Sequence, residues 1–284
     1  MSAHTLIDGQ PGDALPLADR GLQYGDGVFR TMLVCKGTVE VQAQQLDKLL
    51  ADARALGLTP PPRDAMATAL NQAASNLGQG VIKLLITAGD SQRGYARAEN
   101  ACRWLLYHSA LPAWPAALWR EGIIIGDVGW PLSQQPHLAG LKHLNRLDQV
   151  MARRQLSANC QESLMRNLGG QPVCGGMSNL FWFADGHWHT PDLSQGGIAG
   201  LMRERILAAL AQDGQPPRIL NASDQALEQA ELLLMCNSVI GLWPVREWRD
   251  IHDQSRRRWE RPGAHPALTA LRALIPHPWQ GEHV

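Results

Sequence analysis

Leu138-Ala139-Gly140-Leu141-Lys142-His143-Leu144-Asn145-Arg146-Leu147 is the stretch from which the rest of the chain is read. Lys142 follows four uncharged residues and precedes His143, Asn145 and Arg146. An apolar wall beside an ammonium disfavours the charged form and lowers the lysine pKa. A neutral amine attacks an aldehyde, so Lys142 is a candidate for a Schiff base. The same residues also read as a salt-bridged lysine ahead of a helix, and position alone favours that plainer reading. Leu144, Leu147, Val150 and Met151 have the spacing of an amphipathic helix behind it.

Bulk properties narrow the function classes. A chain of 284 residues is long enough for one large domain or two ordinary ones. With 45% hydrophobic and 18% charged residues it has a globular composition. Twenty-six basic residues balance 26 acidic ones, which argues against a nucleic-acid or anionic-membrane partner. No apolar run approaches the ~20 residues of a membrane span. Met1-Ser2-Ala3-His4-Thr5 lacks a signal pattern, so a cytoplasmic location is expected. Five scattered cysteines, an odd number, predict reduced thiols rather than disulfides.

The chain opens with glycine- and proline-rich strands and turns as far as Pro16. Gly21, Gly25 and Gly27 then allow a tight backbone, without the third glycine of a dinucleotide fingerprint. Residues 31–35 and 39–41 flank Lys36-Gly37 and predict a hairpin. Helices are predicted over 43–57 and, after Pro60-Pro61-Pro62, around Met66, Leu70, Ala73 and Leu77. Strands are predicted over 81–87 and 103–108. Between them, Arg93 and Tyr95 sit beside glycines in a loop suited to a carboxylate, charge from one and a hydroxyl from the other. Residues 109–118 carry two prolines and read as a linker, giving an N-terminal domain over 1–108 and a C-terminal one over 119–284.

In the second half, strands are predicted at 122–125, 163–165 and 232–236. His187 and His189 share a strand face but lack a third ligand, so no metal site is expected. Gly196-Gly197-Ile198-Ala199-Gly200 reads as a turn opening a helix, where free N–H groups bind phosphate. Ser223-Asp224 reads as a helix cap, and Arg256-Arg257-Arg258 as a solvated face.

Residues 139–147, Ala-Gly-Leu-Lys-His-Leu-Asn-Arg-Leu, resemble the cofactor-lysine segment of 4-amino-4-deoxychorismate lyases. These are fold-type IV pyridoxal-phosphate enzymes, as are branched-chain and D-amino-acid aminotransferases. The likeness runs from Leu-Ala-Asp-Arg-Gly-Leu-Gln-Tyr-Gly-Asp-Gly-Val-Phe at 17–29 to Met-Cys-Asn-Ser at 235–238, through Arg93-Gly94-Tyr95 and Ser178-Asn179-Leu180-Phe181. It implies an α/β (α+β) fold of two domains with pyridoxal 5'-phosphate in the interdomain cleft. It also implies a homodimer in which the partner chain adds to the active-site wall.

By the same resemblance Lys142 carries the cofactor and shuttles a proton. The amides of Ile198 and Ala199 and the hydroxyl of Ser238 contact the phosphate, and Ser178 and Asn179 belong to the cofactor site. Arg93 and Tyr95 lie near substrate carboxylates. Tyr24 and Arg30 lie on the substrate side, with packing and turn stabilisation equally open for both. Two positions depart from the family pattern. Lys48 stands where an arginine holds the phosphate. Cys174 stands where a glutamate pairs with the pyridine nitrogen, and a thiol with a pKa near ~8.5 is mostly neutral at pH 7. The implied reaction converts 4-amino-4-deoxychorismate to 4-aminobenzoate and pyruvate for folate synthesis. The alternatives are an aminotransferase acting on another amine or amino acid, and a pyridoxal-phosphate-binding protein with weak or lost catalysis.

Overall fold

Ile82, Leu84 and Ile86 are fully buried, while their neighbours Val81, Lys83 and Leu85 are partly exposed. This period of two marks a strand with one covered face, and the first half of the chain packs on that face. The computed structural model describes residues 5–98 and 102–279. The chain divides into two units, Met1–Ala113 with Leu141–Asn145, and Trp114–Gly140 with Arg146–Val284.

In the first unit β1 (Thr5–Ile7), β2 (Gln10–Pro11), β3 (Gly27–Cys35), β4 (Thr38–Val39), β5 (Gly80–Thr87) and β6 (Arg103–Ser109) form an antiparallel sheet ordered β2-β1-β6-β5-β3-β4. Helices α2 (Gln42–Ala55) and α3 (Arg63–Leu77) bury Leu46, Leu49, Ala53, Met66 and Leu70 against Val28, Met32, Val34 and Ile82. A short helix, α1 (Arg20–Tyr24), precedes β3. Asp19 caps it by accepting hydrogen bonds from the N–H groups of Gly21 and Leu22, and Gly25 ends it in the left-handed region at φ 64°. A Cβ at Gly25 would lie 2.5 Å from Asn145 Oδ1, so the position excludes side chains twice over.

Residues 142–144 lie alongside β3. Phe29 N–H donates to the Lys142 carbonyl at 3.0 Å, and Leu144 N–H donates to the Gly27 carbonyl at 2.9 Å. The helix expected from Leu144 therefore starts later, as α5 (Leu147–Gln155), because the backbone of 142–144 bonds to a strand.

The second unit is built on β7 (Ile123–Asp127), β8 (Glu162–Arg166), β9 (Pro172–Gly175), β10 (Asn179–Ala184), β11 (His187–Pro191), β12 (Arg218–Leu220), β13 (Leu232–Asn237), β14 (Gly241–Arg249) and β15 (Ser255–Arg258). Their order is β12-β11-β10-β13-β14-β7-β8-β9, with β15 on β14. Cys174 of β9 pairs with Asn179 of β10, so the strands from β10 round to β9 close into a barrel. Helix α4 (Ala117–Arg120) is followed by α5, α6 (Leu201–Gln212), α7 (Asp224–Gln229) and α8 (Pro266–Leu274). From α6 and α8, Met202, Ile206, Leu268 and Leu271 pack on Phe181, Leu234 and Leu242. Trp114, Trp119 and Trp243 meet edge to face with ring centroids 5.4 to 6.3 Å apart. Among the described residues no helix is long and apolar enough to cross a membrane.

Candidate active site

Lys142 is fixed by groups of the first unit. Its carbonyl accepts from Phe29, its own N–H donates to Asp52 Oδ2 at 3.2 Å, and its Nζ stands 4.5 Å from the centroid of the Phe29 ring. An aromatic face attracts a cation. A second lysine, Lys83 of β5, holds its Nζ 4.5 Å from the same ring and 5.8 Å from that of Tyr107. Asp52, on α2, is 4% exposed and ion-pairs with Arg30, which is 2% exposed. The Arg30 guanidinium thus faces a buried carboxylate. Lys48 lies one helical turn before Asp52, half-buried.

The loop after β5 carries Arg93 and Tyr95, and Arg20 organises it. The Arg20 guanidinium donates to Ser91 Oγ at 2.9 Å and to the carbonyls of Gly94, Tyr95 and Ala96 at 3.2, 2.9 and 3.2 Å. It also binds Asp26 at 2.8 Å, and Arg97 binds the other oxygen of that carboxylate at 2.5 Å. Arg93 is exposed and the Tyr95 side chain is 87% exposed, its ring 5.5 Å from that of Tyr24. Arg20 stands over the Tyr24 ring at 4.9 Å.

In the second unit, Asn179 fixes the glycine turn ahead of α6. Its amide nitrogen donates to the Ile198 carbonyl at 2.8 Å, and its Oδ1 accepts from Gly200 N–H at 3.2 Å. A Cβ at Gly200 would come within 2.4 Å of that oxygen, so the clasp requires glycine. Gly140 N–H donates to the Gly197 carbonyl at 2.9 Å, and Ala199 N–H donates to the Gly140 carbonyl at 3.0 Å. Of the two amides expected at a phosphate, that of Ala199 therefore already has an acceptor. The turn bearing Ser238 is shaped by Asn237, whose Oδ1 accepts from the N–H groups of Val239 at 2.8 Å and Ile240 at 2.9 Å. Asn237 Nδ2 donates to the Met177 carbonyl at 3.0 Å. Trp279 Nε1 donates to the Val239 carbonyl at 2.5 Å, so the C-terminal segment braces the same turn.

Cys174 is buried. Burial pushes its thiol up to about 12, the Glu162 carboxylate adds to the rise, and Arg146 opposes it. The group is a neutral thiol throughout the physiological range. Glu162, 3% exposed, gathers the loop that follows Cys174. It accepts from Ser178 Oγ at 2.7 Å and from the N–H groups of Ser163, Gly176 and Met177 at 2.8, 3.0 and 3.2 Å. Burial raises the Glu162 pKa, and these hydrogen bonds offset only part of the rise. The Ser178 hydroxyl is accordingly bonded to Glu162. Sequence reading passed over Asp52, Lys83, Arg20 and Glu162. Only Glu162 left a local signal, a charge at the head of the apolar strand Glu-Ser-Leu-Met-Arg, which needs partners when buried.

The model of the family Amino-transferase class IV matches residues 27–248. The chain belongs to the class IV aminotransferase family. Within that family, an aminodeoxychorismate lyase from Vibrio harveyi is 31% identical over 242 residues, covering 84% of this chain and 89% of that protein. The structure of 4-amino-4-deoxychorismate lyase from Pseudomonas aeruginosa is similar with a TM-score of 0.87 at 37% identity, covering 95% of this chain and 97% of that one. A hypothetical aminotransferase from Mycobacterium tuberculosis, in its PLP-bound form, is 19% identical with a TM-score of 0.76 over 99% and 98% of the two chains, a likeness of fold alone. The architecture is that of the fold-type IV aminotransferases. The chain is an enzyme of this class IV family, a lyase or an aminotransferase.

Proposed function

We propose that the chain is a pyridoxal 5'-phosphate-dependent aminodeoxychorismate lyase, releasing 4-aminobenzoate and pyruvate from 4-amino-4-deoxychorismate. The observation that carries this reading is Lys142, in a run that matches the lyases, with its backbone bonded on both sides and its amine over Phe29. The residue types suit the cofactor. Lys142 offers a primary amine to its aldehyde. Lys48, the Ile198 amide, the Ser238 hydroxyl and the start of the 12-residue helix α6 suit its phosphate.

When bound, pyridoxal phosphate supplies an electron sink for a carbon that loses its proton. Lys142 Nζ moves that proton. Arg93 and Tyr95 hold substrate carboxylates, the first by charge and the second by its hydroxyl. Lys48 supplies charge to the phosphate but not the paired hydrogen bonds of arginine, a loss of about 1–3 kcal/mol. Cys174 stands at the position the family gives to a pyridine-nitrogen carboxylate. A thiol with a pKa of about 12 stays neutral and does not hold a proton on that nitrogen as a carboxylate does.

The catalyst is therefore expected to be slower than its relatives by roughly a hundredfold, the effect of losing a few kcal/mol of transition-state stabilisation. Cys174 also favours a second reading, a protein that binds the cofactor with weak or lost turnover. The family as a whole includes aminotransferases, which makes amino transfer the third. A homodimer accords with the exposure of Leu17, Leu22 and Tyr95 on the first unit.

One set of measurements separates the three. Borohydride added after incubation with pyridoxal 5'-phosphate should trap an adduct on Lys142, and 4-amino-4-deoxychorismate should yield pyruvate. An adduct with amino transfer to pyruvate selects the aminotransferase. An adduct without turnover selects the binding protein. No adduct at Lys142 rejects all three.

A further inference from the structure

We propose that the buried Arg30–Asp52 pair is a positioning device for Lys142, and this rests on the reading of Lys142 as the cofactor lysine. The excursion Leu141–Asn145 meets β3 around the bridge Val28↔His143. An antiparallel ladder continued one residue further would exchange both backbone bonds between Lys142 and Phe29. Phe29 N–H→Lys142 O follows that pattern, at 3.0 Å, and Lys142 N–H meets Asp52 Oδ2 at 3.2 Å. A side chain of α2 thus accepts from a backbone N–H of the strand-like segment.

The acceptor is anionic, and hydrogen bonds to a carboxylate are shorter and stronger than those to a neutral carbonyl. A carboxylate buried as deeply as Asp52 needs a counter-charge. Arg30 provides it, on the same oxygen that receives Lys142 N–H. Phe29 and Arg30 are consecutive on β3 and point to opposite faces. One lays its ring under Lys142 Nζ, and the other holds the carboxylate that grips the Lys142 backbone. Two neighbouring residues of one strand therefore set both ends of the same lysine. A buried ion pair is often replaceable by apolar residues of similar volume without loss of stability, so fold stability alone does not call for it here.

The test is the double substitution Arg30→Met with Asp52→Leu, which removes both charges and fills their place with apolar side chains. Pyridoxal 5'-phosphate is added to the cofactor-free protein, and the visible band is followed and then trapped at Lys142 with borohydride for mass analysis. The expected result is a melting temperature close to the parent's with band formation slowed ~10-fold or more, since small misplacements of a reacting group have effects of that order or larger. Arg30→Met with Asp52→Asn keeps an oxygen for Lys142 N–H without leaving a buried unpaired cation, and should stay within about threefold of the parent. A double variant with Asp52→Leu that reacts at the parental rate overturns the proposal, and so does Arg30→Met with Asp52→Asn if it is as slow as the variant with Asp52→Leu.

Should the double variant fail to fold, hydrogen exchange in the parent decides. A Lys142 amide as protected as that of Leu144 supports the grip, and one exchanging like an unstructured amide overturns it. A parent that forms no Lys142 adduct removes the reading of Lys142 itself. A parental adduct formed equally fast by the double variant removes only the positioning role.

Discussion

A glutamate introduced at Cys174 would stand beside Glu162, a fully buried carboxyl already raised by burial. Two carboxyls sharing a dry site resist joint ionisation. Cys174→Glu is therefore expected to destabilise the cofactor-free protein by about 1–3 kcal/mol, read as a drop in melting temperature. On the proposed placement of residue 174 at the pyridine nitrogen, the new carboxylate would gain a protonated ring nitrogen as its partner when pyridoxal 5'-phosphate is bound. Much of the lost stability should then return, and turnover should rise by roughly a hundredfold. A variant whose spectrum and turnover both match the parent would remove Cys174 from the pyridine-nitrogen position. Cys174 could be proposed from the sequence because its neighbours Ser178-Asn179-Leu180-Phe181 set the register of a motif. Asp52 was not, because nothing near it in the chain distinguishes a helix aspartate facing solvent from one facing a buried arginine.

The elements were legible wherever the pattern was local. The alternating run of β5 and the apolar stripe of α2 identify themselves. Ser223 caps α7 through its hydroxyl to Ala226 N–H at 3.1 Å, as its position before Asp224 suggested. α1 was missed although Asp19 and Gly25 bracket it with a cap at each end, because five residues are too few to show a helical period. The loop after β5 depends on α1, since Arg20 grips three successive carbonyls of that loop and shares Asp26 with Arg97. Asp26→Asn leaves both guanidinium groups without their anion. The loop is then expected to open more often, with chymotryptic cleavage after Tyr95 accelerated about tenfold while the melting temperature moves little. Cleavage at the parental rate would show that the carbonyls alone keep Arg20 in place.

For the whole molecule, 26 acidic and 26 basic residues give a net charge of zero, and many of them are used up internally. Arg256, exposed as expected of a solvated face, also lies 4.2 Å over the Trp248 ring and ion-pairs with Asp127, Asp224 and Glu228. Arg166 joins the same two aspartates, and Trp248 Nε1 donates to Asp127 at 3.0 Å. The network ties β7, β8, α7, β14 and β15 of the second unit. Each of its ion pairs joins residues at least 28 positions apart in the chain, so no short window of sequence could display it. Burial works to raise the Asp224 carboxyl, and Arg166 and Arg256 outweigh it, leaving the group below its ordinary range. A depressed native pKa means that the stabilisation is complete above the unfolded value of about 3.9 and fades as the pH falls through the native one. Arginine remains charged throughout, so Asp224 is the partner that titrates. The urea midpoint should hold steady down to about pH 5 and fall steeply below about pH 4. Asp224→Asn should start from a lower midpoint at neutral pH and lose less on acidification. The network is partly exposed, and added salt should narrow the gap between the two proteins. Parallel curves for the two proteins from neutral to acid pH would mean that Asp224 has the same pKa folded and unfolded, and that these guanidinium groups neutralise charge without stabilising the barrel.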